Sequence, residues 1–342
     1  MKLRVFEGFA GYGGASFALR NLKKKYPEFE YEVVGYSEND RFASELFDKN
    51  HKDKDGNLIK NWGDIMKIDP GELPDFDMFT GGFPCQPFSS AGMQLGVDDP
   101  YGRGTLFEHI VRICAVKKPK YLFLENVKGL LAKKFAETRK AMQDMLRQIG
   151  YSSSENEDPI AYSLLNTKDY GIPQNRARVW MFAQLDGLPS DFCLTPPEVE
   201  SKKRLKDFLD PEGFVPREMY LSEKQIEHLK FKHNIEHFYV DTPLCFDVYN
   251  KKIKHDGYSI TITQPEHNSL RVIEKHKNKE VVRKMSVTEQ FRLMGLEGLS
   301  IDGKKPDIDF AGHSYTQLSK RAGNGWDVNL VTILFEHIFN QL

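Results

Sequence analysis

Five short apolar runs constrain what this chain can fold into more than any other feature: "KLRVFEG", "YEVVGYS", "DMFTGG", "KYLFLENV" and "RVWMFAQL". They alternate with segments of helical pattern. "ASFALRNLKKKY" sets Phe17, Leu19 and Leu22 at helical spacing, and "TLFEHIVRICAVKK" and "FAETRKAMQDMLRQI" read the same way. Strand and helix in alternation predict an α/β fold, a mostly parallel sheet with helices on both faces. The alternation fades near residue 185. From there to about 282 the chain is polar, rich in Pro and Lys, and holds six of the ten histidines (His228, His233, His237, His255, His267 and His276). That shift predicts a second, smaller domain. Helical pattern returns with "SVTEQFRLMG", and "NLVTILFEHIFNQL" reads as an amphipathic helix that packs back on the sheet. The expected division is therefore residues 1–184 with 283–342, and residues 185–282.

Composition narrows the class. Of 342 residues 40% are hydrophobic and 28% charged, the balance of a globular chain and not of a disordered one. "MKLRVFEGFAG" begins as a strand, without the apolar stretch of a signal peptide, and no apolar run is long enough to span a bilayer. Cys85, Cys114, Cys193 and Cys245 lie far apart with no CxxC pair. This argues against a zinc ribbon or a disulfide framework, and makes the cytoplasm the expected compartment. The histidines read as surface polar groups, since no metal-ligand spacing accompanies them, so no metal is expected. The net charge is −1, yet residues 251–284 hold nine Lys/Arg against four acids. Such a stretch suits phosphate contacts or a solvated surface equally.

In an α/β sheet, ligands sit beyond the carboxyl ends of the strands, and the notable motifs lie at such ends. "FAGYGG" lets the backbone approach a ligand through Gly11, Gly13 and Gly14, although a tight turn alone would use the same glycines. Glu38, 24 residues after Gly14 and at the end of the second strand, suits a carboxylate that holds the two hydroxyls of a ribose. Asp64 of "NWGDI" can accept a hydrogen bond from an adenine amino group. Together the three favour an adenosine-containing ligand.

"GGFPCQPFSS" holds Cys85 between Pro84 and Pro87, which restrict the backbone on both sides and fix where the sulfur points. The alternative is an inert buried thiol; the strand-end position and the glycines around it favour a nucleophile. Glu125 of "LENV" ends another strand and can bond a ring nitrogen, making the adjacent carbon electrophilic. In "GIPQNRARVW" the period of two puts Arg176 and Arg178 on one side of a strand, suited to a carbonyl oxygen or a phosphate unless the strand is a solvated edge.

With these motifs in order, the chain resembles the cytosine-5 DNA methyltransferases of bacterial restriction-modification type along nearly its whole length. The resemblance runs through "FAGYGG", "SEND", "GDI", "GGFPCQPFSSAG", "GRGTLF", "LENVKGLL", "DYGIPQNRAR", "VTEQFRLMG" and "QLSKRAGNG". It implies an S-adenosylmethionine-dependent methyltransferase fold, Rossmann-like, with a target-recognition domain at residues 185–282. S-adenosylmethionine would lie across Phe9, Gly11, Tyr12 and Gly14, with Glu38 on the ribose and Asp64 and Ile65 at the adenine. Asn39, Gly82, Pro84, Leu106, Asn324 and Gly325 would complete that site, and S-adenosylhomocysteine would leave it. A cytosine flipped out of double-stranded DNA would be attacked at C6 by Cys85, while Glu125 bonds its N3 edge and Arg178, supported by Arg176, holds O2. Thr261, in "SITIT", matches a threonine segment at the end of the family's recognition domain. A monomer is expected, with a restriction endonuclease as a candidate companion in a bacterial or phage-infected cell.

The chain departs from the family pattern at Glu7 and Gly8 before "FAG", at Asn39, at Ala177 between the arginines, and in "GNGW". None of these removes a catalytic group. The nearest rival is a cytosine-5 methyltransferase acting on tRNA. Others are a catalytically silent DNA-binding relative, against which Cys85, Glu125 and Arg178 count, and a nicotinamide oxidoreductase, which has no use for these three together.

Overall fold

The first two apolar strands of this chain become buried toward their carboxyl ends, whereas the next two are buried from the start and open at their ends. In β1 (Lys2–Gly8) the side chains pass from exposed Lys2 to fully buried Val5 and Phe6. The computed structural model describes residues 2–84, 106–152, 158–265, 269–276, 279–296 and 308–342. They form two compact units, one of Met1–Leu165, Ala177–Pro197 and Val331–Leu342, the other of Asn166–Arg176 and Glu198–Leu330.

The first unit is built on a six-stranded sheet. With β2 (Glu30–Ser37), β3 (Met78–Gly82), β4 (Tyr121–Val127), β5 (Ala161–Asn166) and β7 (Ala177–Gln184), the order is β2-β1-β3-β4-β7-β5. β1 pairs in parallel with β2 and β3, and β3 in parallel with β4, but β4 and β7 are antiparallel, Glu125 facing Trp180 and Val127 facing Arg178. Helices α1 (Gly14–Lys25), α2 (Arg41–Asn50), α3 (Leu106–Lys117) and α4 (Ala136–Gln148) accompany the sheet. α1 buries Phe17, Leu19 and Leu22, the residues its spacing singled out, together with Ala15 and Ala18. The Asp40 side chain starts α2 by accepting from the amides of Phe42 and Ala43. One core cluster joins Phe6, Phe76 and Phe79 to Phe107, Ile110 and Ile113 of α3 and Met142 and Leu146 of α4. The last helix, α8 (Val328–Phe339), sets Phe335 edge-on to Phe123 of β4 at 4.9 Å. Burial pushes the Cys114 thiol up to about 12, so it is inert beside this core.

The second unit holds an antiparallel sheet that hydrophobic alternation does not reveal. It has the order β12-β11-β8-β9, formed by β8 (Leu244–Asp247), β9 (Lys252–Lys254), β11 (Leu270–His276) and β12 (Lys279–Arg283). A two-stranded parallel pair joins β6 (Gln174–Asn175) to β10 (Ser259–Ile260). Helices α5 (Glu223–His233), α6 (Val287–Arg292) and α7 (Tyr315–Asn324) complete it. Its small core gathers Phe238, Leu244, Phe246, Ile273 and Val282. Beside these sits a buried charge cluster. Arg283 is fully buried and donates to Glu274 at 2.6 Å and to both carboxylate oxygens of Glu289 at 2.8 Å. The same Glu289 accepts from the Ser286 amide at 2.8 Å and closes the capping box of α6.

Among the described residues no helix is long and apolar enough to cross a membrane, and no cluster of His, Cys, Asp and Glu could hold a metal ion. Glu289 neutralises Arg283 and caps a helix at once, so Glu289→Ala leaves a buried guanidinium short of one partner. The expected loss is about 3 to 5 kcal/mol in urea unfolding, whereas Glu280→Ala, which removes the half-buried partner of Lys230, should cost about 1 kcal/mol or less.

Candidate active site

The glycine turn after β1 is shaped by one buried histidine. Gly13 has φ +84°, and a Cβ there would meet the His51 ring nitrogen at 2.3 Å. His51 donates from Nε2 to the Tyr12 carbonyl at 3.0 Å and stands edge-on to Phe17 at 4.5 Å. Burial pulls its pKa down to about 3, so the ring is neutral and the donor role is settled by the carbonyl it faces. Gly11 has φ +59°, and nothing lies within 4 Å of where its Cβ would stand, so the backbone there opens on free space. Phe9 has φ +53° and is half-buried, Tyr12 is buried, and Gly14 is the first residue of α1.

Glu38, at the end of β2, is held by the backbone on both oxygens: Oε2 accepts from the Gly11 amide at 2.9 Å and Oε1 from the Asp40 amide at 2.8 Å. A carboxylate so fixed keeps lone pairs for two further donors. Asn39 beside it is exposed. Asp64 caps the short 3-10 turn Ile65–Lys67, accepting from the Met66 amide, with Ile65 buried beneath. Arg112 of α3 clamps that turn, donating to the carbonyls of Ile68 at 2.7 Å and Ile65 at 3.2 Å. Below the glycine turn Glu7 is buried and accepts from the Ser16 hydroxyl; burial raises its pKa to about 7.

The second edge lies at β3 and β4. Gly82 ends β3, half-buried, and the Asn126 side chain donates to the Phe83 carbonyl at 2.9 Å. Pro84 follows, exposed. Residues 85–105, which include Cys85, Pro87 and the acidic Asp98 and Asp99, lie outside the described residues, as do His267 and Lys277. Leu106 opens α3, half-buried. Glu125 and Arg178 form an ion pair, Nε to Oε1 3.0 Å, with most of each side chain covered. Arg178 also donates to the Ala177 carbonyl at 2.9 Å.

In the second unit Arg176 is buried, and its guanidinium donates to the carbonyls of Ile262 at 3.0 Å, Gly323 at 3.1 Å and Gly325 at 2.8 Å. The two arginines therefore have separate sets of partners. Arg176 precedes β7 instead of lying in it, so the period of two does not govern it, and its donors go to main-chain carbonyls while those of Arg178 go to Glu125. Asn324 is exposed at the end of α7. Thr261 donates to the Asn175 carbonyl at 2.6 Å. Sequence reasoning passed over His51, Arg112 and Asn126. Only the last carried a local signal, as the neighbour of Glu125 in "LENV".

Residues 3–340 match the model of a family described as C-5 cytosine-specific DNA methylase. The chain is similar to the type II methyltransferase M.HaeII of Haemophilus aegyptius, 31% identical over 342 residues that cover 99% of this chain and 93% of that one. It is also similar to the type II methyltransferase M2.ScrFI of Lactococcus lactis subsp. cremoris, 30% identical with 99% of each covered. In fold it is similar to the crystal structure of the S. pombe Dnmt2 methyltransferase, with a TM-score of 0.68 and 22% identity over 99% of both chains.

Two outcomes follow from the geometry of the glycine turn. Because the folded protein holds the Glu7 proton up to about pH 7 and an unfolded chain releases it near 4.5, this group costs stability progressively as pH rises between those values. Glu7→Gln should therefore gain on the parent by as much as about 3 kcal/mol between about pH 5 and pH 8, read from urea unfolding at each pH. Gly13→Ala should lower stability by about 2 kcal/mol or more, since it adds both a positive-φ strain and a clash with His51.

Proposed function

Because this chain belongs to the C-5 cytosine-specific DNA methylase family, we propose that its DNA cytosine-5 methyltransferase activity runs through a covalent adduct of Cys85 with the target base. The observation that carries the reading is the Glu125–Arg178 pair. It sets an acidic and a cationic group side by side at the end of β4, next to the strand that leads into Cys85.

The cofactor edge fits S-adenosylmethionine. Gly11 leaves open space where a side chain would stand, Glu38 is pinned by two amides with lone pairs to spare for ribose hydroxyls, and Asp64 sits on a turn clamped by Arg112. Phe9, Tyr12, Gly14, Asn39, Ile65, Gly82, Pro84 and Leu106 would line it. When bound, the cofactor supplies a methyl group on a sulfonium and leaves as S-adenosylhomocysteine.

The chain's own residues do the rest. A cytosine inside a duplex is out of reach, so it is flipped into the pocket. The Cys85 thiolate forms a bond to C6, and the displaced π electrons move toward C5 and toward the N3–C2–O2 side of the ring. Glu125 steadies the N3 and amino edge. Arg178 has five N–H donors, and its contacts with Glu125 and Ala177 engage two of them, so others are left for O2. Arg176 supports this by fixing the backbone just before Arg178. Once C5 carries the methyl group, loss of its proton to a base and elimination of the thiolate restore both enzyme and aromatic ring.

In this reading residues 1–184 and 283–342 carry the chemistry and residues 185–282 select the sequence. The chain acts on DNA in a bacterial or phage-infected cell, with or without a companion endonuclease.

The decisive experiment is bisulfite sequencing of a host that lacks cytosine-5 methylation and expresses this chain, beside Cys85→Ala and Glu125→Gln. Methylation at one short recurring sequence is expected, absent with Cys85→Ala and reduced at least about 100-fold with Glu125→Gln. Methylation retained with Cys85→Ala would sink the covalent route. A clean genome together with methylated tRNA would move the activity to RNA.

A further inference from the structure

Immediately after β4, the strand of Glu125, the chain carries "VKGLLAKKFAETRK", with Lys128, Lys133, Lys134, Arg139 and Lys140 against the single acid Glu137. The segment is built, not loose. Lys128–Leu131 and Lys133–Phe135 are 3-10 turns, closed by bonds from the Ala132 amide to the Gly129 carbonyl and from the Phe135 amide to the Ala132 carbonyl, both 3.0 Å. Leu130 is fully buried, and Leu131 and Phe135 pack on the main core. Arg139 clamps the turn from beneath, donating to the carbonyls of Leu130 at 2.6 Å and Ala132 at 3.1 Å. What the turn presents outward is Lys128, Lys133 and Lys134, all exposed, beside Val127, which is 46% exposed. Among the described residues none of these three lysines has a carboxylate within ion-pairing distance, in contrast to Lys25 and Lys117 of the same unit, which are paired.

We propose that Lys128, Lys133 and Lys134 form a phosphate-contacting rim on the catalytic unit that grips the DNA backbone beside the target nucleotide. This rests on the reading of Glu125 as the group that holds the base edge. A base bonded at Glu125 must lead its sugar and phosphates out past the residues that follow β4, and Lys128 is only three residues on. A turn holding three ammonium groups without a carboxylate partner there, one of them over the Phe135 ring, meets a polyanion at little ordering cost, and lysine suits phosphate as a point charge that carries no base preference. The rim is distinct from the basic residues of 251–284. It would add affinity independent of sequence, on the side of the molecule that does the chemistry.

The test is the salt dependence of duplex binding by the full chain with S-adenosylhomocysteine present, for the parent and for the triple variant K128Q/K133Q/K134Q, over about 50 to 200 mM salt. Each phosphate contact contributes about 0.9 to the slope of log affinity against log salt, so the variant's slope should be shallower by about 2 to 3. A target duplex and a scrambled one should weaken by the same factor. S-adenosylhomocysteine affinity and the melting midpoint serve as checks that the variant is folded. A slope equal to the parent's would overturn the rim, as would a loss confined to the target duplex, which would mean base contacts. A slope change on a tRNA transcript without one on duplex DNA would overturn it in favour of RNA. If the parent itself binds no duplex, the reading of Glu125 falls with it; if the parent binds and methylates while the variant matches its slope, only the rim falls.

Discussion

The ion pair between Glu125 and Arg178 is the constraint around which the six-stranded sheet is arranged. Two opposite charges with most of their surface covered are tolerable only together, because removing either leaves the other short of compensation in a poorly solvated place. Their meeting depends on the antiparallel pairing of β4 with β7. In the β4/β7 register Glu125 faces Trp180 and Arg178 faces Val127, so the two side chains are diagonal neighbours on one face. Shifting β7 by one residue would send Arg178 to the other face. The buried apolar residues of both strands, Phe123 stacked on Trp180 at 5.3 Å among them, hold that register.

A second regularity runs through both units. Arg112, Arg139 and Arg176 each donate to two or three main-chain carbonyls, and each thereby holds an irregular segment. The guanidinium is suited to this. It offers five donors in a fixed plane and no acceptor, so it can satisfy carbonyls that helix and sheet leave over. Carboxylates play the converse part. Glu38 and Asp64 hold amides, and Asp327, buried among the amides of Asn329 and Leu330, has its pKa raised by burial to about 7. Irregular segments of the chain are thus shaped by charged groups bonded to the main chain.

The α/β sheet was legible in the sequence because its strands are buried on both faces and read as continuous apolar runs; "KYLFLENV" and "RVWMFAQL" fall on β4 and β7. The antiparallel sheet of the second unit was not, because strands such as β9, Lys252–Lys254, are short and half-exposed and carry no apolar run. Motif residues at strand ends could be named, Glu38 and Glu125 among them, since glycine and acid types announce chemistry. The place of Arg176 outside β7 could not be read, since it depends on where that strand begins, and element boundaries are the weakest part of any pattern reading. His51 was invisible for a different reason: its partner carbonyl lies 39 residues away in the chain, and a lone histidine carries no local mark.

The first unit is completed by residues far apart in the chain, and this has a consequence for its birth on the ribosome. Phe335 and Phe339 of α8 pack on Phe123 and Tyr121 of β4, and Glu336 pairs with Lys25 of α1. Between Pro197 and Val331 the chain builds the other unit. At ordinary rates of synthesis, on the order of ten seconds pass between the emergence of β7 and that of α8. During that interval the sheet has its strands but lacks one helical cover, with the rings of Tyr121 and Phe123 still to be enclosed. Nascent chains held at that stage would expose an aromatic surface that the finished enzyme conceals, and it is then that a chaperone has something to hold.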